Sequence, residues 1–313
     1  MLPQLVSAYD FKADRLCYNF NYDSTSVIVT YEIYYNEHGN GYYNLFGDLI
    51  IPSHVTYNGQ NYPVTEIGSE AFLDCSGLTS VTIPNTVTEI GYYAFDNCTG
   101  LTSLTIGNSV TEICGGAFNC CYSLTSVTLN SNALISNDYL YSPLTEYFGY
   151  QVQEYIIGDD VTKIGNKAFA DCNDMTSVTI PNSVTEIGSE AFKNCSSMTT
   201  VYSRIQAPQN VDYGSNIFTS INYSNCCVYV PYGTRSLYKT TFPWSEFNHI
   251  VEVSNDNGGD VNGDGYVTSA DVTEIYNYLL NGSTNYLNNL DINGDGVVTA
   301  NDITAIYNIL LGT

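Results

Sequence analysis

A period of 23 residues governs the middle of this chain. The segment VTEIGSEAFLDCSGLTSVTIPNT begins at Val64, and closely related segments begin at Val87, Val110, Val161 and Val184. Self-similarity at a fixed period of this length is typical of a solenoid, in which each repeat forms one coil and contacts its neighbours. One coil cannot bury its apolar residues alone, so the sequence predicts a stack of coils over residues 64–202.

Each repeat contains a strand-like stretch. In the first repeat, Leu78, Val81 and Ile83 are apolar, while Ser80 and Thr82 alternate outward. We expect parallel strands at residues 80–83, 103–106, 126–129 and 177–180. The outward side chains form a ladder that is either a ligand-binding surface or only a solvated face: Ser80, Thr82, Ser103, Thr105, Ser126, Thr128, Ser177, Thr179, Thr200 and Tyr202.

Phenylalanine and cysteine recur at two further repeat positions, which we expect to face the interior. The phenylalanines are Phe72, Phe95, Phe118, Phe169 and Phe192, and the cysteines are Cys75, Cys98, Cys121, Cys172 and Cys195. Ten cysteines would suggest a disulfide framework if the chain is exported from the cell. A regular interior column needs none, because buried cysteine behaves as a small hydrophobe, so we expect it to stay reduced. The vicinal pairs 120–121 and 226–227 are left unassigned.

Residues 131–160 form an enlarged repeat. Val110 and Val161 are 51 residues apart, which equals one repeat of 23 and one of 28. The segment ends in the strand-like VQEYIIGDD and is rich in aromatic residues: Tyr139, Tyr141, Tyr147, Phe148, Tyr150 and Tyr155. Such an insertion either contacts a ligand or packs over the convex side of the solenoid.

The repeat pattern VTxIGxxAFxxCxxLTSVTIPxS closely resembles the BspA-like class of leucine-rich repeats, which is found on bacterial surface proteins. The flanks resemble that family as well, with a leading region at residues 9–63 and a closing cap at residues 203–253. The resemblance implies a mainly β, leucine-rich-repeat solenoid that works outside the cell. A solenoid offers an extended, rigid surface for binding a protein or a glycan.

Two acidic loops follow the repeats. DVNGDGYVTSAD spans residues 260–271 and DINGDGVVTAND spans residues 291–302. Oxygen-bearing side chains occupy positions 1, 3, 5, 9 and 12, with Gly at 6, which is the ligand spacing of an EF-hand calcium loop, although both loops end in Asp instead of Glu. The candidate ligands are Asp260, Asn262, Asp264, the carbonyl of Tyr266, Thr268 and Asp271, then Asp291, Asn293, Asp295, the carbonyl of Val297, Thr299 and Asp302. The alternative, an Asn/Asp/Gly turn that binds nothing, is disfavoured because the loop occurs twice.

A helical pattern follows each loop, in DVTEIYNYLL and DITAIYNILL. No entering helix precedes the first loop, because residues 254–259 (SNDNGG) read as a linker. Duplicated loop-helix units of this kind resemble a type I dockerin module over residues 260–313. The resemblance implies a small all-α, EF-hand-like domain with two Ca²⁺ ions that docks to a cohesin module of another protein. Family positions that help choose the cohesin correspond to Ser269, Ala270, Ala300 and Asn301.

The net charge of the chain restricts the classes of partner that it can bind. The formal net charge is −24, which argues against nucleic acid and against anionic lipid. No apolar run reaches 18 residues, so no membrane span is expected. Residues 254–313 contain no Lys or Arg. The loop carboxylates therefore repel one another without a cation, and we expect this segment to unfold without calcium. Residues 1–8, ending in Val6-Ser7-Ala8, are interpreted as the remnant of a signal peptide.

No catalytic constellation stands out. A glycosidase needs two carboxylates in different environments, but the obvious acids share one repeat position and form a solvated stripe: Glu66, Glu89, Glu112 and Glu186. We therefore predict a non-catalytic protein, secreted and possibly attached to the cell surface. Its repeats would bind a host or microbial surface protein or glycan, and its dockerin a cohesin. The alternatives are an accessory or enzymatic subunit of a polysaccharide-degrading, cellulosome-like complex, and a structural spacer.

Overall fold

The structure is a computed structural model, and it describes residues 9–13, 15–30, 45–139, 143–231, 233–253, 261, 268–281 and 299–311. In chain order the elements are β1 (Phe11–Ala13), β2 (Leu16–Phe20), β3 (Val27–Thr30), β4 (Gly47–Ile50), β5 (His54–Tyr57), β6 (Gln60–Ile67), β7 (Leu78–Thr82), β8 (Glu89–Ile90), β9 (Ser103–Ile106), β10 (Glu112–Ile113), β11 (Ser126–Leu129), α1 (Asn132–Ile135), α2 (Pro143–Phe148), β12 (Glu154–Ile157), β13 (Lys163–Ile164), β14 (Ser177–Ile180), β15 (Glu186–Ile187), β16 (Thr200–Ser203), β17 (Asp212–Tyr213), β18 (Cys227–Pro231), α3 (Arg235–Thr240), β19 (His249–Val253), α4 (Ser269–Asn281) and α5 (Ala300–Leu311). Two short 3-10 helices, Pro208–Asn210 and Trp244–Glu246, lie near the end of the repeats.

One sheet runs the length of the repeats. Within the described ranges its order is β4-β7-β9-β11-β12-β14-β16-β18-β19, and every neighbouring pair is parallel. Ser80 pairs with Ser103, Ser103 with Ser126, Ser126 with Glu154, and Glu154 with Ser177. The predicted parallel strands are therefore confirmed, although the first one begins earlier, at Leu78. Each coil contributes one strand, and the enlarged repeat contributes β12.

The opposite side of the coils carries short strands, which are the Glu-Ile pair of the repeat in β8, β10 and β15, Lys163–Ile164 in β13 and Asp212–Tyr213 in β17. These strands pair in parallel as β6-β8-β10 and as β13-β15-β17. Between the two groups stands α1, where the N–H of Gly165 donates to the carbonyl of Ile135 at 2.8 Å. The enlarged repeat thus interrupts this second face while the large sheet continues through it.

Stacked aromatic rings fill the interior between the two faces. The centroids of Phe72 and Phe95 are 4.8 Å apart, and those of Phe95 and Phe118 are 5.2 Å apart. Phe169 and Phe192 continue the ladder beyond the enlarged repeat at 5.1 Å. All five predicted phenylalanines are buried, because each coil covers the ring of the next.

The cysteine column lies beside the phenylalanine ladder. Its five members are buried. Several donate their S–H to a backbone carbonyl of the preceding coil, as Cys98 does to Phe72 at 3.3 Å and Cys195 to Phe169 at 3.1 Å. All ten cysteines of the chain are thiols in the structure, which agrees with the expected reduced column and also assigns both vicinal pairs as thiols.

The flanking regions close both ends of the interior. At the start, β3 pairs in parallel with β6, which runs from the leading region into the first repeat. At the end, Trp244 is fully buried, packs on Phe218 at 5.5 Å and donates its indole N–H to the Tyr213 hydroxyl at 2.6 Å. One continuous buried cluster therefore extends from Phe11 to Ile250.

Adjacent coils approach each other closely at the glycine of the VTEIG motif. A Cβ placed on Gly91 would lie 2.6 Å from the backbone nitrogen of Ser69 and 2.8 Å from the carbonyl carbon of Gly68. Real Cβ atoms do not approach backbone atoms this closely, so the spacing between coils requires glycine here.

The two helices after the acidic loops form a separate apolar cluster. Val272 and Ile275 of α4 and Ile306 of α5 are buried together with Val261 of the first loop. Both predicted helices are confirmed by the structure. The remainder of the predicted EF-hand-like domain lies outside the described residues.

Candidate calcium centre and ligand-binding surfaces

The side chain of Asp271 holds the first acidic loop together through hydrogen bonds. This side chain is fully buried. One carboxylate oxygen accepts the N–H of Val261 at 2.8 Å, and the other accepts the N–H of Thr268 at 2.7 Å. Asp271 is the third residue of α4 and Thr268 precedes the helix, so the second contact is the returning bond of a capping box. One carboxylate thereby ties together positions 2, 9 and 12 of the loop.

The second loop shows the same local arrangement where it is described. Thr299 precedes α5, and its hydroxyl accepts the N–H of Asn301 at 3.1 Å, as an N-cap residue does. Asp302 is the third residue of α5, the position that Asp271 holds in α4. The two helices therefore begin at equivalent points of their loops.

Most predicted ligands lie outside the described residues: Asp260, Asn262, Asp264, Tyr266, Asp291, Asn293, Asp295 and Val297. Of the others, the structure brings Thr268 and Asp271 together at the start of α4 and places Thr299 at the start of α5.

The residues present fit a calcium ion. Asp271 is a buried carboxylate in a segment without Lys or Arg. The N–H of Val261 and the N–H and hydroxyl of Thr268 donate to it, and none of these groups carries a full positive charge. A buried charge is costly unless an opposite charge or a metal compensates it. The candidate ligand atoms of the loop are all oxygens, which hard cations prefer.

The helix surfaces carry exposed apolar side chains. Tyr276 and Leu279 of α4 are 56% and 40% exposed. They are three residues apart and so lie on one face of the helix. Ala300 and Asn301, two of the predicted partner-contact residues, are also exposed at the start of α5.

The outer face of the large sheet is less uniform than the predicted hydroxyl ladder. Thr179 is buried, with Ile156 and Tyr202 as its register neighbours, so its expected exposure is wrong. Towards the last coils, the rings of Tyr202 and Tyr229 stack at 5.2 Å. A hydroxyl surface thus gives way to an aromatic one along the sheet.

The acidic stripe is partly buried. Glu66 pairs with Glu89, and Glu89 with Glu112, in adjacent parallel strands. Burial, together with the charge of Glu89, raises the pKa of Glu66 above 4.5. Cys114 lies 3.6 Å from a carboxylate oxygen of Glu89, and burial together with the nearby carboxylates raises its pKa to about 11, which keeps it a thiol. These carboxylates face like charges on equivalent positions, and glycoside hydrolysis needs an asymmetric pair.

An open cavity of about 410 Å³ lies where the third repeat meets the enlarged repeat. Its lining includes Asn119, Tyr122, Glu146, Tyr150, Gln151 and Asp174. Tyr122 is 71% exposed and Tyr150 is 61% exposed. The sequence indicates the aromatic insertion, but its partner Tyr122 was not predicted. Aligning the repeats would have identified Tyr122, because the equivalent residues of the first two repeats are the small residues Ser76 and Thr99.

Comparison with known families agrees with this architecture. The family model described as "BspA type Leucine rich repeat region" matches residues 65–147 and 145–255 in six copies. The chain belongs to the BspA-type leucine-rich-repeat family. The model described as "Dockerin type I domain" matches residues 258–311, so this BspA-type protein also carries a C-terminal dockerin domain.

Several bacterial leucine-rich-repeat structures are similar to this BspA-type protein. A protein of T. pallidum shares 22% identity over 67% of this chain and 88% of that one, with a TM-score of 0.40. A leucine-rich cell surface protein of Faecalibacterium prausnitzii shares 28% sequence identity over 72% of this chain and 54% of that one, with a TM-score of 0.38. A leucine-rich-repeat protein of Bacteroides ovatus shares 22% sequence identity over 78% of this chain and 76% of that one, with a TM-score of 0.36.

A comparison with curated proteins returned no match. Neither matched family is a catalytic domain. In the described ranges, none of the helices combines the length and the apolarity that crossing a membrane requires.

Proposed function

We propose that this BspA-type protein is a non-catalytic, extracellular binding protein with two working parts. The repeats at residues 64–202, between caps at 9–63 and 203–253, bind a protein or glycan target. The dockerin at residues 260–313 holds two Ca²⁺ ions and docks to a cohesin on a scaffold or cell surface. The dockerin match and the buried Asp271 carboxylate support the docking half.

Asp271 carries the calcium part of the proposal. Its carboxylate already holds the loop closed through Val261 and Thr268, and no cationic side chain occurs in that segment. Calcium bound by Asp260, Asn262, Asp264, the carbonyl of Tyr266, Thr268 and Asp271 would neutralise it, and the second loop would act in the same way. Because the ion binds the folded loops and hardly the unfolded chain, it stabilises the fold by mass action.

The docking surface of the proposal includes the first residues of the two helices, of which Ala300 and Asn301 are exposed. Ser269 and Ala270 in one unit, and Ala300 and Asn301 in the other, occupy equivalent positions after the two loops. The two pairs differ, so the two units need not bind a cohesin identically. Tyr276 and Leu279 add exposed apolar area on α4, which a partner can cover.

Calorimetric titration of the full chain with calcium tests this function. We expect heat from both loops, a gain in helical circular dichroism and capture by a cohesin module. Asp260→Ala combined with Asp291→Ala should abolish all three and leave the repeats folded. Asp256→Ala, which removes a linker carboxylate, is the matched control. If calcium gives neither heat nor helical signal, the docking function is wrong.

A role as an accessory subunit of a polysaccharide-degrading complex is a second candidate. The aromatic cavity at Tyr122 and Tyr150 favours it over a plain spacer, because a spacer has no need of exposed tyrosines beside an open cavity.

A further inference from the structure

Two exposed tyrosines occupy the same repeat position in adjacent coils. Ser126 and Glu154 are register partners in the large sheet. Tyr122 and Tyr150 each stand four residues before one of these partners, at the turn that leads into the strand. Neighbouring strands are about 4.8 Å apart, so two aromatic side chains follow one another along the solenoid at this edge.

The neighbouring coils have small or polar residues at the same position. Four residues before Ser103, Ser177 and Thr200 stand Thr99, Asn173 and Ser196. The aromatic pair is therefore confined to the third and enlarged repeats, where the open cavity of about 410 Å³ lies. A repeat array that needed tyrosine for coil packing would carry it in every coil.

The base of the cavity is held by buried contacts. Phe118 and Phe148, whose ring centroids are 5.4 Å apart, continue the interior ladder beneath it. The side-chain amide of Gln151 donates to the carbonyl of Cys121 at 3.0 Å and to that of Phe148 at 2.8 Å. Its amide oxygen is thereby left as an acceptor in the cavity lining. A preformed site of this kind loses little conformational freedom when a ligand binds.

The lining combines aromatic rings with groups that recognise hydroxyls. Glu146 and Asp174 accept hydrogen bonds, Gln151 offers its oxygen, and the Tyr150 hydroxyl both donates and accepts. The Tyr122 hydroxyl donates to the sulfur of Cys120 at 3.2 Å and can accept a hydrogen bond from a ligand. Pyranose rings offer flat C–H faces for aromatic packing and a rim of hydroxyls that donate and accept. The acidic side chains in the lining, on a chain of net charge −24, disfavour an anionic ligand.

We propose that this cavity binds a neutral glycan, with Tyr122 and Tyr150 packing on successive sugar units and Glu146, Gln151 and Asp174 binding their hydroxyls. The proposal rests on the proposed role of the repeats as the target-binding part, and it names the class of target. A cationic peptide would use only the carboxylates and the ring faces, and would leave the mixed donors and acceptors of the lining without a purpose.

Affinity electrophoresis of the full chain tests the proposal. Native gels would contain barley β-glucan, arabinoxylan or galactomannan as neutral polymers and polygalacturonate as the anionic one. We expect at least one neutral polymer to retard the protein, and polygalacturonate not to do so. Tyr122→Ala and Tyr150→Ala should each weaken binding about tenfold or more, because each removes one stacking platform. Tyr150→Phe keeps the ring and should stay within about threefold of the native affinity.

Tyr92→Ala is the matched control, because Tyr92 is 57% exposed in the second repeat and is not part of the lining. All substituted tyrosines are exposed, so the variants should keep the native melting temperature. Equal weakening by Tyr92→Ala would overturn the proposal. Retardation by none of the neutral polymers would do the same, as would binding of oligolysine that Tyr150→Ala abolishes.

Two further arms separate this site from the proposed function as a whole. Chelation of calcium by EDTA should leave the retardation unchanged while cohesin capture is lost, since the cavity belongs to the solenoid. If the repeats bind a surface protein from a host-matrix panel but none of the glycans, the glycan site is wrong and the binding role of the repeats stands. If they bind neither, both proposals fail.

Discussion

The solenoid and the C-terminal helix pair differ in how much apolar core stabilises them. The solenoid buries a continuous set of side chains from Phe11 to Ile250, in which every coil covers the next. The helix pair has a described core of only Val261, Val272, Ile275 and Ile306, with Ile303 packed against it. A core of that size rarely stabilises a domain of about 60 residues without a disulfide, a metal or a partner.

The two regions also differ in their charged residues. In the solenoid, some acidic residues have basic neighbours, as Glu186 has Lys163 at 3.0 Å and Glu190 has Lys193 at 3.1 Å. The segment from residue 254 onward has acids and no basic residue. We therefore expect stacking to stabilise the solenoid without an ion and the C-terminal segment to depend on calcium for its fold.

Removal of calcium should produce the largest difference between the regions. Scanning calorimetry of the full chain with calcium should show two transitions, and EDTA should abolish the one that belongs to the C-terminal segment, because folding there is coupled to ion binding. The transition of the solenoid should keep its temperature. A C-terminal transition that survives EDTA would show that the small core is sufficient.

Phe95→Ala should have the next largest effect. Its ring stacks between Phe72 and Phe118, so truncation opens a void in the middle of the ladder and should cost about 3–5 kcal/mol of unfolding free energy. Phe46→Ala is the control, because that side chain is 65% exposed. Urea denaturation measures both. A loss below about 1 kcal/mol at Phe95 would mean that the coils do not depend on ring stacking.

Gly91→Ala tests the spacing between coils. The added methyl would meet the backbone of the preceding coil and should cost about 1–3 kcal/mol, a typical loss for overpacking. Gly115→Ala is the matched control, since its Cβ would find only the ring of Tyr92 at 3.8 Å. Urea denaturation of the two variants should separate them, and equal stability would show that the coils can move apart.

The pH dependence at Glu66 should be the smallest effect. Burial and the charge of Glu89 raise the pKa of Glu66 above 4.5, so the folded protein binds this proton more tightly than the unfolded chain does. Stability from this group is present below pH 4.5 and is lost as the pH rises through the raised pKa. Glu66→Gln should make the melting temperature less dependent on pH across that window. Glu146→Gln, an exposed change in α2, should leave the profile as it is.

The sequence predicted the features that repeat or that depend on local spacing. The strands at residues 103–106, 126–129 and 177–180, the buried phenylalanines and the starts of α4 and α5 follow from periodic apolar positions and from capping residues. The same periodicity located the enlarged repeat, because Val110 and Val161 are separated by more than one period.

Features that arise from contacts between coils were not predicted. The two short helices of the enlarged repeat lack any apolar period, and α1 is fixed by Ser131, which accepts the N–H of Leu134 at 3.2 Å. The cavity needs Tyr122 and Tyr150 side by side, which follows only from strand register. Glu70 and Lys167 adopt left-handed backbone angles, with φ of 56° and 58°, although neither residue type favours them.

We expect the break in the aromatic ladder to divide the solenoid into two cooperative units. At the enlarged repeat, Phe118 meets Phe148 at a tilt of 49°, and the next contact is an edge-on one between Tyr155 and Phe169. In place of a strand pair, the second face has hydrogen bonds to α1 there: Gly165 donates its N–H to the carbonyl of Ile135 at 2.8 Å, and Thr162 donates its N–H to the side-chain oxygen of Asn132 at 3.0 Å. In a linear array each junction sets how far an opening spreads. The amide protons on the two sides of this junction should therefore exchange with solvent as two groups, each with its own opening free energy.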